Sequence, residues 1–226
     1  MSTSAEPATP LRAVVFDFDG LVLDTEWCEW ITAAEMFTDH GTELSLELWK
    51  TFIGSLEHPH WTDILEEQLG RPIDRADLLT RRRMLQTECN AGLAPLPGVV
   101  GLLGALSGDG IPLAVASSSS ADWVHGHLRG HGLLDHFATI ATGDEVARTK
   151  PDPAVYLLAC ERLGVHPSST VAIEDSVNGV AAAKAAGMFA VAVPGSLTRD
   201  MDFSAADLVV DSCAALTPAR LATLLS

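Results

Sequence analysis

The stretch Ala13-Val14-Val15-Phe16-Asp17-Phe18-Asp19-Gly20 governs how the rest of the chain is read. Four apolar residues with two valines read as a buried strand, so the first carboxylate falls at the strand's C-terminal end. In open α/β sheets that edge is where ligands bind. Two acids this close repel each other unless a cation, a shared proton or solvent relieves them. A hard divalent ion such as Mg²⁺, which prefers oxygen ligands, is the natural partner. A strand ending in a solvated acidic turn, with Gly20 as punctuation, is the plain alternative. This motif alone does not separate the two.

Outward from this strand, Leu21 to Thr25 leads into a helical segment from near Glu26 to about Asp39, and Ser45 to Gly92 has further helical patterning with no strand. Leu65, Leu69 and Ile73 follow a helical spacing, as do Leu78, Leu79 and Leu85. Pro95-Leu96-Pro97-Gly98 then breaks the chain. From Gly98 the pattern alternates: helix Val99–Leu106, strand Ile111–Ala116, a helix through Trp123 and Leu128, strand Thr139–Ala141, helix Ala154–Leu163, strand Thr170–Ile173, helix Val177–Ala186, then strands at Phe189–Val193 and Leu208–Val210. Near-continuous apolar strands alternating with helices mean a parallel sheet covered on both faces. The expected organisation is α/β: residues 11–24 and 95–226 form the core, 25–94 an inserted all-helical unit, and 1–10 a loose tail.

With 226 residues and 47% hydrophobic content the chain can bury a full core. Fourteen Lys plus Arg stand against thirty Asp plus Glu, a formal charge of −16, which disfavours nucleic acid as a partner. No run approaches the roughly 18 apolar residues that span a bilayer, so no membrane partner is expected. Met1 to Pro10 lacks the apolar segment of a signal peptide. Cys28, Cys89, Cys160 and Cys213 are scattered, without metal or disulfide-framework spacing. A cytoplasmic protein with reduced thiols is the simplest inference.

Three further strand ends carry polar signals. Ser117-Ser118-Ser119-Ser120 follows the strand ending at Ala116, where a hydroxyl and neighbouring N–H groups just before a helix can hold a phosphoryl group. A serine cap and turn is the ordinary reading of that stretch alone. Lys150, one of three lysines in the chain, precedes the proline turn Pro151-Asp152-Pro153. Beside the Asp pair it would offset carboxylate repulsion and attract a phosphoryl oxygen. Glu174-Asp175-Ser176 ends the strand from Thr170; a carboxylate here, with Asp17 and the Asp19 carbonyl, could complete the protein ligands of an octahedral Mg²⁺. Taken singly, each is an ordinary turn or helix cap. Their coincidence on one sheet edge favours phosphate chemistry.

Together, Asp17-Phe18-Asp19-Gly20, Ser117, Lys150-Pro151-Asp152-Pro153 and Glu174-Asp175-Ser176 resemble the four motifs of the haloacid dehalogenase superfamily, over about Leu11 to Val193. The helical insertion resembles the cap of the β-phosphoglucomutase-like subgroup, which implies a Rossmann-like parallel core with an inserted helical cap. The resemblance implies that Asp17 is the nucleophile and forms an aspartyl-phosphate, and that Asp19 protonates the leaving oxygen and then activates water. It implies that Ser117 and the backbone after it, with Ser118, bind the phosphoryl group and that Lys150 neutralises its charge. Asp17, Asp19 (through its carbonyl) and Asp175 would hold Mg²⁺, with Glu174 a further contributor.

Within this superfamily, an acid two positions after the nucleophile sets the chain apart from dehalogenases and phosphonatases. The sugar-phosphate mutases carry a histidine where this chain has Glu29 and a cap arginine after a segment comparable to Gly54-Ser55-Leu56-Glu57. Acids there oppose the grip on a second phosphate that a mutase needs. The reading is a Mg²⁺-dependent phosphatase acting on a small phosphorylated metabolite, such as a sugar phosphate; a mutase and a non-catalytic binding protein are the alternatives. His127 and His131 have i,i+4 spacing compatible with zinc but no accompanying Cys or acid pattern. Trp27, Trp30, Trp49 and Trp61 are expected to pack the cap, and one of Arg81, Arg82 and Arg83 could face the cleft.

Overall fold

In the computed structural model, which describes residues 10–54 and 58–225, β1 (Ala13–Phe16) is buried at every position. The reading of residues 1–10 as a tail lies, apart from Pro10, outside the described residues, as do Ser55, Leu56 and Glu57. β1 pairs in parallel with β2 (Leu113–Ala116) on one side and β4 (Thr170–Glu174) on the other. With β3 (Thr139–Ala141), β5 (Phe189–Ala192) and β6 (Leu208–Val209), the order is β3-β2-β1-β4-β5-β6. The chain winds outward from β1 to β3, then returns to β1's other flank, which makes β1/β4 the topological switch point.

Why β1 is apolar throughout is visible in its packing. Val14 and Phe16 face one layer, with Val99 and Leu103 of α5 (Val99–Gly108) and Val124 of α6 (Ala121–Gly130). Val15 faces the other, with Tyr156 and Ala159 of α7 (Ala154–Leu163) and Val180 of α8 (Val177–Ala185). Each fully buried side chain of this kind contributes about 1.5–3 kcal/mol, so a polar residue at any β1 position would cost one layer its seal. The second strand begins at Leu113, two residues later than expected, after Pro112, which has no N–H to donate to a ladder.

The insertion comprises α1 (Thr25–Asp39), α2 (Leu46–Lys50), α3 (Trp61–Leu69) and α4 (Arg75–Ala91). Asp24 caps α1 by accepting the Trp27 N–H at 3.3 Å, and Asp74 caps α4 through the Asp77 N–H at 3.2 Å. These helices enclose their own apolar cluster, built on Met36, Phe37, Trp49, Trp61, Leu65 and Leu78. Leu197, from the loop after β5, joins that cluster. The Asn178 side-chain amide donates to the Ile53 carbonyl at 2.8 Å, and Lys50 pairs with Asp200 at 2.7 Å. The cap is therefore seated on the core. Trp27 does not pack the cap as expected; it is 42% exposed on the outer side of α1.

The expectation of uniformly reduced thiols is overturned. Cys28 and Cys89, 61 residues apart in sequence, form a disulfide with Cα atoms 5.8 Å apart. α1 and α4 run antiparallel, with Arg82 of α4 on Glu29 and Arg81 on Asp39, so the start of one helix meets the end of the other. Spacing along the chain carried no sign of this because helix pairing brings the two residues together. Cys160 and Cys213 are buried and free. The cysteines thus give no reading of compartment. No described helix is long and apolar enough to cross a membrane.

Thiol titration of the denatured, unreduced protein is expected to find two of the four cysteines, and four after reduction. Four before reduction would refute the cross-link. The Cys28→Ser/Cys89→Ser variant is expected to lose up to about 4 kcal/mol of stability by the loop-entropy relation.

Candidate active site

The parallel order brings the C-terminal ends of β2, β1 and β4 side by side. Asp17 extends β1 by one step, its N–H donating to the Ile173 carbonyl at 2.9 Å. Glu174 ends β4 and Asp175 follows it, Ser117 comes directly after β2, and Lys150 comes from the loop after β3, preceding a cis peptide to Pro151. The Lys150 ammonium, 1% exposed, donates to Asp17 Oδ1 and to Glu174 Oε1, the latter at 2.6 Å. It also lies 5.0 Å from the centre of the Tyr156 ring.

Glu174 is held on every side. Its Oε1 also accepts from Tyr156 Oη at 2.5 Å, and its Oε2 accepts from the Asp175 and Ser176 N–H groups and the Ser176 hydroxyl at 3.2–3.3 Å. A Cβ on Gly179 would fall inside the Glu174 carboxyl group, so only glycine fits there. Asp175 contrasts with it: no hydrogen bond reaches its carboxylate among the described residues. Its Oδ2 lies where a Cβ of Gly20 would be, and Gly20 has a φ of +78° that favours glycine on its own account.

Asp17, Glu174 and Asp175 are all buried, and each can offer an oxygen within 4.8 Å of the others. Three carboxylates face one ammonium, so full ionisation leaves two negative charges unmatched in a dry site. Burial, then Glu174, push the Asp17 pKa up to about 8, against the lowering by Lys150. Burial and Asp17 push Asp175 well above the usual carboxylate range. Burial works against the Lys150 ammonium, but Asp17 and Glu174 more than offset it and its pKa stands above that of a free lysine. A buried, oxygen-only, over-charged donor set of this kind suits a hard divalent cation.

Asp19 has a different setting. Thr25 Oγ1 and the Trp123 indole N–H donate to Oδ1 at 2.7 and 2.8 Å; the Ser119 and Ser117 hydroxyls donate to Oδ2 at 2.7 and 3.2 Å. Ser118 turns its hydroxyl to the Gly54 carbonyl at 3.3 Å, against the cap. Thr25, Ser119, Trp123 and Tyr156 were not foreseen as site residues. Ser119 sits inside the serine run already singled out; a threonine opening the helix after the Asp pair and a tryptophan one turn beyond that run are the traces Thr25 and Trp123 leave in the sequence.

A cavity of about 430 Å³ opens above Asp17, Asp19, Ser117 and Lys150. Its far wall comes from the cap and includes Trp49, Phe52, His58, Trp61 and Arg82. Arg82 is thus the member of the arginine triplet at the cleft, but Glu29 already pairs with it at 2.5 Å. The His127/His131 pair holds no open ligand site: the His131 ring nitrogens face the His127 and Leu93 carbonyls at 2.8 and 3.0 Å.

The Asp17 shift sets a pH expectation. Its folded pKa stands at about 8 against 3.8 for the unfolded chain, so the stability it contributes is complete below about 3.8 and is lost as pH rises through about 8. A divalent cation replaces the proton that the folded site retains. Added Mg²⁺ is therefore expected to raise Tm, by an amount that grows from about pH 6 to about pH 8, and Asp175→Asn should remove most of the rise. Thermal melts with and without Mg²⁺ check this; a rise that shrinks with pH or survives the substitution contradicts a cation at these carboxylates.

Comparison with known proteins matches this architecture throughout. The sequence profile of the haloacid dehalogenase-like hydrolases matches residues 14–193. YhcW of Bacillus subtilis (strain 168), a candidate phosphatase by name, is 41% identical over 93% of this chain and 96% of its own length. A variant of CbbY from Rhodobacter sphaeroides, crystallised with xylulose-1,5-bisphosphate, aligns with a TM-score of 0.73 and 31% identity over 91% of this chain and 96% of that one. A Thermotoga maritima protein, a candidate β-phosphoglucomutase by name, aligns with a TM-score of 0.72 and 30% identity over 95% and 98% of the two chains. With the six-stranded core, the helical cap and these matches in agreement, the chain belongs to the haloacid dehalogenase-like hydrolases, in their β-phosphoglucomutase-like group.

Proposed function

We propose that this enzyme is a Mg²⁺-dependent phosphatase that releases inorganic phosphate from a small phosphomonoester through an aspartyl-phosphate on Asp17. It is a phosphoric monoester hydrolase by family and by its phosphatase-named relative; the metal, the intermediate and the scale of the substrate rest on the site. The observation that carries the reading is the convergence of Asp17, Lys150, Ser117 and Asp19 at the floor of one cavity.

Lys150 holds Asp17 Oδ1, which leaves Oδ2 to attack phosphorus. The Ser117 hydroxyl and the Lys150 ammonium receive the phosphoryl oxygens as their charge builds. Asp19 gives a proton to the ester oxygen as the P–O bond breaks and the alcohol departs. A water then attacks the phosphorus of the aspartyl-phosphate while Asp19 takes its proton; the P–O bond to Asp17 breaks and its carboxylate is restored. Held by Asp17, Asp175 and the Asp19 carbonyl, Mg²⁺ would supply positive charge that keeps Asp17 ionised and offsets that of the phosphate. Glu174, with both oxygens engaged by donors, anchors Lys150 and stands behind the metal ligands in this reading.

The leaving-group end of the cavity favours a neutral group. Trp49, Phe52 and Trp61 line that end, and a sugar can lay its apolar face against such rings. Among the described residues the Glu29–Arg82 pair leaves no unmatched cation there for a second phosphate, which supports a phosphatase over a mutase.

A screen of phosphorylated metabolites with Mg²⁺ tests the reading. Sugar monophosphates are expected to release phosphate faster than bisphosphates, and EDTA to abolish release. Asp17→Asn is expected to lose at least about 10³-fold and Asp19→Asn roughly 10²–10⁴-fold. Undiminished turnover in Asp17→Asn rules out the nucleophile, and isomerisation of a sugar phosphate faster than phosphate release returns the mutase.

A further inference from the structure

Asp19 has to do two things that its surroundings oppose: carry a proton to the leaving oxygen, and turn one oxygen toward it. As the structure stands, both of its oxygens are filled by donors from two parts of the molecule. The donors differ in what binding and cap movement would do to them. Ser117 and Ser119 face the phosphoryl pocket and line the cavity, so a bound phosphoryl group competes for their hydroxyls and frees Oδ2. Thr25 opens α1 and travels with the cap. Trp123 also lines the cavity, but it belongs to the core and its single N–H is already given to Asp19. It lies on α6, packs against the main apolar cluster, and meets the His127 ring edge-on with centroids 4.3 Å apart. His127 in turn lies against Phe18, 6.0 Å between ring centroids, beside Asp19 in the chain.

We propose that the Trp123 indole N–H is the anchor that orients Asp19, pinning Oδ1 to the core so that Oδ2 is the oxygen presented to the leaving group. Trp123 is thus a positioning residue that acts through Asp19. This role rests on the phosphatase reading and adds to it a residue outside the four motifs. An indole suits the task because it donates one hydrogen bond, cannot accept one and carries no charge of its own. It fixes direction without competing for the proton, and its place on a core helix, against His127 and the main apolar cluster, keeps that direction constant when the cap moves. A misaligned acid loses most where the leaving alcohol is a poor one, since an alkoxide cannot depart unprotonated whereas a nitrophenolate can.

The test compares an alkyl phosphate that the enzyme turns over with p-nitrophenyl phosphate, in wild type and Trp123→Phe, which keeps a ring and removes the donor. kcat/KM reports the step in which the leaving group departs. It is expected to fall roughly tenfold further for the alkyl ester than for the aryl ester. Equal losses for both esters, or none, overturn the anchor. A second measurement needs no turnover: among the five indole N–H resonances of the ¹⁵N-labelled protein, the one missing in Trp123→Phe should move in Asp19→Ala while the others stay. It should keep its wild-type position when inorganic phosphate and Mg²⁺ are added. A resonance indifferent to Asp19→Ala, or one that phosphate shifts to the Asp19→Ala position, overturns the anchor even where Trp123→Phe does not fold. A wild-type protein that hydrolyses neither ester overturns the phosphatase reading and the catalytic role of the anchor with it; a working wild type with equal losses overturns the anchor alone.

Discussion

One buried ammonium between two buried carboxylates organises this molecule. Lys150 joins Asp17 at the end of β1 to Glu174 at the end of β4, across the switch point of the sheet. Such a bridge is costly to form, and breaking it by removing one partner is costlier, about 3–5 kcal/mol, because a charge is stranded out of water. The neighbourhood is shaped to make the bridge tolerable. Tyr156 and three donors from the Asp175–Ser176 turn fill the remaining Glu174 positions, and Gly179 leaves room for the carboxyl group. The ammonium is consequently immobile, which is what stabilising a developing phosphoryl charge requires.

The two acids of the Asp-Phe-Asp motif illustrate how environment divides labour between like groups. Asp17 lies against a cation and two further acids, in a site whose excess charge invites a metal. Asp19, two residues on, points to the other side of the turn and meets hydroxyls and an indole. The first setting suits a nucleophile that a bound cation would keep charged, since without one its pKa is pushed up to about 8. The second suits a group that must exchange protons, because neutral donors hold it without fixing its charge.

The cap contributes separation from water and a wall of rings. Its seat on the core is made by small contacts, with the Ile53 and Gly54 carbonyls receiving Asn178 and Ser118. Contacts of this size can be made and broken as substrate enters and product leaves. The Cys28–Cys89 link lies where α1 starts and α4 ends, near both points at which the chain crosses between cap and core. It ties those crossings together, so the helices between them behave as one block.

The sequence by itself determined the sheet and its chemical edge. Runs such as Ala13–Phe16 and Thr170–Ile173 are apolar at consecutive positions because both faces of a parallel sheet are covered, and the polar residues that end them gather at one edge of that sheet. Local pattern reports that directly, and so Asp17, Ser117, Lys150, Glu174 and Asp175 were legible as a set. What only the tertiary structure decided is what depends on which helix meets which: the Cys28–Cys89 pair, the neutralisation of Arg82 by Glu29, the exposure of Trp27, and the convergence of Thr25, Ser119 and Trp123 on Asp19. These contacts join residues far apart along the chain through side-chain direction and helix packing. Nothing in periodicity or spacing encodes either one.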